Sequence, residues 1–181
     1  MTELALIAAS AHRDELADFE QLLRRYERQV LVTSLRLLGN LEDAQDASQE
    51  VFVRFYRHFR RLKEQDDCAG WLYRVTVNVC RDVRRKRPRP ETASGDEAIP
   101  DRAPDALAQL QQSERQRMLA IVLGGLPEKE RAAIVLRDLE GLPTREVAAI
   151  LGSSEATVRS QVSQGRQRIR AAMEKLFGRR K

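Results

Sequence analysis

Cysteine is scarce in this chain of 181 residues: Cys68 and Cys80 are the only two. They are not spaced as a CxxC pair, so neither a disulfide framework nor a zinc site is indicated, and both are expected to be structural or incidental. Long apolar runs are also missing. No stretch approaches the roughly 20 residues that a membrane span needs. The mildly apolar start, Met1 to Ser10, has neither a basic beginning nor a small-residue cleavage site. A cytoplasmic protein without direct membrane insertion is expected. There is no strand-like alternation of useful length and no internal repeat of fixed period, so the expected fold class is all-α. Nor does any pattern assemble the nucleophile, base and stabiliser of a catalytic site. No catalytic residue, resident metal, cofactor or small-molecule substrate is expected.

Charge is abundant. Asp, Glu, Lys and Arg make up 33% of the chain, the net charge is +5 and the pI is near 9.6. Such a chain is soluble and attracted to polyanions such as nucleic acid. From Asp14 to Leu38, Leu16, Phe19, Leu22, Leu23, Tyr26, Val30 and Leu31 recur at helical spacing, and Gly39 ends the pattern. Asn40 then suits an N-cap, Asp43 suits the first turn, and Ala44, Ala47, Val51, Phe55 and Phe59 mark a second buried stripe. A third helix is predicted from about Asp67 to Lys86, with Trp71, Leu72, Val75 and Val79 available for a core. Pro88 and Pro90 stop it. The acidic stretch that follows has few large apolar residues and reads as a mobile linker. Helical pattern resumes around Leu107, breaks at Gly124-Gly125, and restarts at Leu126-Pro127 with proline in a first helical position. That helix is predicted to end at Gly141.

Pro143 and Thr144 open a short helix, Gly152-Ser153-Ser154 makes a turn, and a long helix starts at Glu155. This is the outline of a helix-turn-helix. Ala148 is small where the two helices approach, Gly152 tolerates positive φ in the turn, and Val158 anchors the second helix. Ser153 or Ser154 can cap that helix. Its exposed side offers Arg159, Ser160, Gln161, Ser163 and Gln164 to a major groove. Arg166, Arg168, Arg170, Lys175, Arg179, Arg180 and Lys181 would add salt-sensitive affinity independent of sequence. A helical hairpin with a solvated charged face is the plainer alternative.

The second and third helices carry opposite charge. Asp43, Asp46 and Glu50 share one side of the second, either a solvated face or a docking surface for a basic partner. The third bears Arg74, Asn78, Arg81, Arg84, Arg85, Lys86, Arg87 and Arg89, relieved only by Asp82, with Trp71 and Tyr73 at its start. Positive charge with aromatics nearby is what single-stranded nucleic acid requires, although Trp71 taken singly reads as core.

The run Asp43-Ala-Gln-Asp-Ala-Ser-Gln-Glu-Val-Phe52, with Trp71-Leu-Tyr-Arg-Val-Thr-Val-Asn78 and Arg81-Asp82, strongly resembles region 2 of extracytoplasmic-function sigma factors. Leu126-Pro-Glu-Lys-Glu-Arg131, Gly141-Leu-Pro-Thr-Arg-Glu-Val-Ala148 and Thr157-Val-Arg-Ser160 resemble region 4 of the same family. The resemblance covers nearly everything from Asp14 to Leu176. It implies two small helical domains: residues 1–90 as region 2, 91–112 as an acidic linker, and 113–181 as region 4. It also implies core RNA polymerase as partner, through the clamp helices of its largest subunit and its beta flap, with Asp43, Asp46, Gln49 and Glu50 matching the clamp-docking positions. The third helix and its preceding loop, about Leu62 to Gly70, would hold the non-template strand of the −10 element, with Asn78 and Arg81 first, then Arg74, and Arg84 and Arg85 beside them. Region 4 would set Arg159, Ser160, Gln161, Ser163, Gln164 and Arg166 against the −35 element. Gln161 and Gln164 stand where many relatives carry arginine, so the base preference is expected to differ. The linker would thread toward the RNA exit path, and an anti-sigma factor is expected as an inhibitory partner.

Two other readings compete with this one. A stand-alone helix-turn-helix regulator would leave the first ninety or so residues unexplained and would need a dimerisation surface. A nuclease using Asp43, Asp46 and Glu50 around magnesium, helped by His12 or His58, would need an enclosing pocket that the helical pattern does not suggest.

Overall fold

The structure, a computed structural model, describes the backbone of residues 2–65, 68–86 and 117–177 and the side chains of 16–63, 68–86 and 117–175. The expected linker 91–112, Pro88 and Pro90, the resumption of helix at Leu107, Arg87, Arg89, the His12 side chain and Arg179 to Lys181 lie outside these residues. Helices follow one another as α1 (Thr2–Leu38), α2 (Leu41–Gln65), α3 (Cys68–Lys86), α4 (residues 117–124), α5 (Glu128–Ile134), α6 (Thr144–Leu151) and α7 (Glu155–Phe177). Between α5 and α6 the chain widens into a π-turn, Val135–Leu139. Among the described residues there is no strand, and no helix is long and apolar enough to cross a membrane. The all-α expectation holds, with α1 to α3 in one group and α4 to α7 in the other.

α1 begins at Thr2, well before Asp14, because Glu3 to Arg13 is rich in alanine and leucine and holds no glycine or proline to stop a helix. Asn40 caps α2 as expected. Its Oδ1 accepts the Asp43 N–H at 2.8 Å, and its amide donates to Asp43 Oδ2 at 2.6 Å. Ala44, Ala47, Val51, Phe55 and Phe59 of α2 are all buried. Phe19 of α1 meets Phe55, Tyr56 and Phe59 with ring centroids 5.0–5.6 Å apart, which fixes how α1 lies across α2.

α3 is covered on more than the one side that its apolar stripe predicts. Leu72 and Val79 are buried and Trp71 and Val75 half-buried, but Tyr73, Thr76, Val77 and Cys80 are buried too. The extra cover includes α6, which packs directly on α3. Buried apolar residues of the two groups thus form one continuous cluster, from Val30 through Phe55 and Val77 to Leu136 and Val162.

In the second group, Pro127 is the N-cap and not the first helical residue: its ψ is 145° and its carbonyl accepts the Arg131 N–H at 2.9 Å. The Leu126 N–H turns back to the Leu123 carbonyl at 3.1 Å, so the chain is still in a turn when it reaches the proline. The expected even helix to Gly141 is also interrupted. The Glu140 N–H bonds to the Val135 carbonyl, a five-residue span, and Leu142 to Leu136 closes the turn beyond it. α6 ends at Gly152 in the left-handed region, φ 61°, where a side chain would be strained. Ser154, not Ser153, caps α7 by accepting the Thr157 N–H at 3.1 Å. Ala148 and Val158 are buried where α6 and α7 meet, as predicted.

Candidate interfaces for protein and nucleic acid

Three surfaces gather the residues singled out in the sequence, and an internal seam brings in others that were not. On α2, Asp46, Gln49 and Glu50 are exposed and share a face, while Asp43 is half-buried and engaged in the Asn40 cap. Glu50 accepts from Arg54 Nε at 2.7 Å, so one carboxylate of the face is already partly neutralised. The face continues into apolar surface that the sequence reading missed: Val53 and Tyr56 are 46% and 53% exposed. Val53 stands seven, four and three residues after Asp46, Gln49 and Glu50, and Tyr56 seven after Gln49 and three after Val53; this helical spacing is the signal that could have found them. Among the described residues no group of three His, Cys, Asp or Glu side chains is placed to hold a metal. His58 instead sets Nδ1 2.8 Å from the Arg54 carbonyl and its ring 5.5 Å from Trp71.

On α3, Arg74, Asn78, Arg84 and Arg85 are exposed, and Arg74, Asn78, Arg81 and Arg85 recur along one stripe. Arg81 is engaged: its Nε donates to Glu128 at 2.8 Å, across to the second helical group. Arg85 pairs with Asp82 at 3.0 Å, and Arg84 donates to the Leu37 carbonyl at 3.1 Å. The two aromatics at the start of α3 separate. Trp71 is half-buried against Phe55 and His58. Tyr73 is buried and offers no platform for a base, because its hydroxyl is used inside the protein.

On α7, Arg159, Ser160, Ser163, Gln164 and Arg166 are exposed. Gln161 is not: it is half-buried, and its Oε1 lies buried without a hydrogen-bond partner. It follows Ser160 on the flank that turns toward Val158 and Val162 of the core. Arg159, Ser163 and Arg166 line a groove of about 440 Å³ whose other walls include Arg137, Thr144 and Arg170. Arg137 lies in the π-turn and was not legible as a surface cation of this groove. Arg166 donates to both oxygens of Asp138, at 2.8 and 2.7 Å, and this carboxylate raises the guanidinium above its usual range, first by hydrogen bonding and then by charge. Arg159 pairs with Glu155 at 2.8 Å. Exposed pairs of this kind hold the arginines outward at little energetic cost and exchange readily for phosphate.

The seam lies between the two helical groups. Glu140, directly after the π-turn, receives Thr33 Oγ1 and Arg36 NH1 on one carboxylate oxygen, both at 2.8 Å, and the Tyr73 hydroxyl on the other at 3.2 Å. The Gln29 amide donates to the same tyrosine oxygen. Burial, then the charge of Glu140, pushes the Tyr73 phenol up to about 12. A second knot is built on Arg131, which is 3% exposed. Its guanidinium donates to the carbonyls of Leu123, Gly124 and Leu126 around the end of α4 and reaches Leu37 at the end of α1, at 2.6–3.0 Å. A cation against the carbonyl ends of two helices offsets the negative end of each dipole.

The chain matches the family Sigma-70 region 2 over residues 22–89 and the family Sigma-70, region 4 over residues 116–169. It is 34% identical to the ECF RNA polymerase sigma factor SigE of Mycolicibacterium smegmatis over 177 residues, covering 96% of this chain and 68% of that one. The ECF RNA polymerase sigma factor SigM of Mycobacterium tuberculosis is 31% identical, with 93% of this chain and 83% of that one covered. Among solved structures, CnrH in complex with the cytosolic domain of CnrY superposes with a TM-score of 0.65 at 25% identity, over 93% of this chain and 96% of that one. With both regions present in order and relatives matched over nearly the whole length, the chain belongs to the extracytoplasmic-function group of the sigma-70 family of RNA polymerase sigma factors.

Proposed function

We propose that the chain works as a binding subunit without catalysis of its own: it joins core RNA polymerase and directs initiation at promoters that it reads through two surfaces. The observation that carries this reading is the combination, in one chain, of an exposed acidic face on α2 with two separate basic surfaces on α3 and α7. Asp46, Gln49 and Glu50, with Asp43 at their edge, dock on the clamp helices of the largest polymerase subunit, and region 4 meets the beta flap. On α3, Arg74, Asn78, Arg81, Arg84 and Arg85 follow the melted −10 strand, where capture of an extruded base offsets a few kcal/mol of unpairing. On α7, Arg159, Ser160, Ser163, Gln164 and Arg166 read the −35 duplex, while Gln161 acts from a half-buried position. Arg137, Thr144 and Arg170 extend that surface toward phosphates. Residues 91–112 link the two units. The chain acts in the cytoplasm, and an anti-sigma factor that covers these exposed surfaces holds it inactive.

A stand-alone helix-turn-helix regulator is not favoured, because it gives the acidic face and basic stripe of α2 and α3 no task. The deciding experiment is transcription from a promoter library by purified core polymerase, with and without this chain and with an Asp46→Arg variant. Promoter-selective initiation that requires the chain and weakens in the variant is the expected result. Specific duplex binding by the free chain with no initiation would overturn it.

A further inference from the structure

We infer that Gln164 is the residue through which α7 selects adenine at one position of the −35 duplex, and that Asp138 keeps Arg166 out of base reading so that this choice stands. The inference deepens the sigma-factor reading and rests on it. Of the α7 residues set against that duplex, Gln161 is half-buried, and Ser160 and Ser163 carry short hydroxyls that pair with several bases alike. Arg166 is long enough to reach a base edge, but its planar fork is spent. It donates to both oxygens of Asp138, at 2.8 and 2.7 Å, and that carboxylate is only 21% exposed and comes from a different element, the π-turn. The bidentate edge that guanine would need faces a carboxylate, and the rest of the guanidinium is left for phosphate. Arg159 differs. It meets Glu155 of its own helix through a single contact at 2.8 Å, and both side chains are widely exposed, so it can exchange that partner for a base.

Gln164 is the long neutral group on this face. It is exposed, and its amide nitrogen donates to the Ser160 hydroxyl one turn back, at 3.4 Å. One N–H and the carbonyl oxygen of the amide are left side by side. Adenine offers the complement, an acceptor at N7 and a donor at N6, whereas guanine offers two acceptors and would set one of them against the amide oxygen. The backbone under Gln164 is fixed as well. Gly165 is buried against α5, where a Cβ would stand 2.7 Å from Ile134, and Val162 beside it is buried, so the reading group stands on a rigid seat. Arg159 lies five residues earlier, about 7.5 Å along the helix axis, close to two base-pair steps of about 3.4 Å. A guanine for Arg159 and an adenine for Gln164, with one base pair between them, is therefore the expected core of the −35 element.

The test is initiation by core polymerase and the full-length chain from a library in which the −35 element is randomised, with the bases of productive templates counted. Wild type should favour adenine over guanine at one position by about 5- to 150-fold, the range of one bidentate pair. Gln164→Arg should move that position alone to guanine, and Gln164→Ala should leave it without preference. Asp138→Asn, by freeing the fork of Arg166, should add a guanine preference that wild type lacks. Gln164 is exposed and Asp138→Asn is isosteric, so thermal unfolding close to that of wild type verifies that each variant is folded. Identical base preferences in wild type and Gln164→Arg would overturn the role of Gln164, and no gain in Asp138→Asn would overturn that of Asp138. If no template initiates, the sigma-factor reading fails. Selection of the randomised duplex by the free chain then decides the code by itself, and the absence of an adenine that Gln164→Arg moves overturns the inference there too.

Discussion

Cys80 sits on α3 with its sulfur enclosed between the helices, and its environment decides its chemistry. Burial pushes the thiol from 9.0 up to about 11, against the opposing pull of the Ser34 hydroxyl and the Arg84 charge. The folded value lies above the unfolded one, so the contribution is fully present below pH 9. It is lost as pH rises from about 9 to 11, where the unfolded chain ionises first. The loss approaches about 3 kcal/mol. Denaturant unfolding of wild type and Cys80→Ala at pH 8 and pH 10.5 checks this: wild type should weaken more steeply with pH, and parallel curves would refute the assignment. Spacing alone had not indicated a disulfide framework, and no disulfide joins Cys68 to Cys80. Tyr73 was less legible. It looked like a companion to Trp71 for nucleic acid, but its partner Glu140 lies 67 residues away in the chain, beyond any local pattern.

Helices were the readable elements because their caps and apolar stripes are local. Asn40 and Gly152 ended up doing what their side chains, or the lack of one, suited them for. The π-turn at Val135–Leu139 was not readable: Ile134, Val135 and Leu136 are consecutive and all buried, so no periodicity distinguishes one helical geometry from another there. Gly165 was not readable either. It is buried on α7 where that helix lies against α5, and a Cβ there would stand 2.7 Å from Ile134 Cγ1 and 3.2 Å from Cδ1. Because Ile134 is itself 3% exposed, it has little room to yield. Gly165→Val should therefore destabilise the protein by about 1–3 kcal/mol despite valine's better helix propensity. A melting temperature equal to or above that of wild type would show that α5 and α7 are less tightly apposed.

At the scale of the whole molecule, the surfaces proposed to meet polymerase and DNA are mostly exposed on one chain, while its two helical groups are joined by the Glu140 seam. Under the proposed function, an anti-sigma factor that covers these surfaces keeps the chain from polymerase. The chain isolated from its native cells during unstressed growth should therefore carry one stoichiometric protein partner and little polymerase. Recovery with polymerase alone under every growth condition would argue against an anti-sigma factor. Amino-acid order by itself determined the all-helical class, the acidic and basic faces and the helix-turn-helix, because each depends on neighbours three to eight positions apart. It also carried the family, through short runs of residues in a fixed order. Tertiary structure alone decided that α3 is buried on the side facing α6, that Gln161 turns inward, that Arg137 joins the α7 groove and that Glu140 binds region 2. Those outcomes depend on which distant surfaces meet, and a buried carboxylate can draw its donors from anywhere in the chain that the fold brings within hydrogen-bond reach.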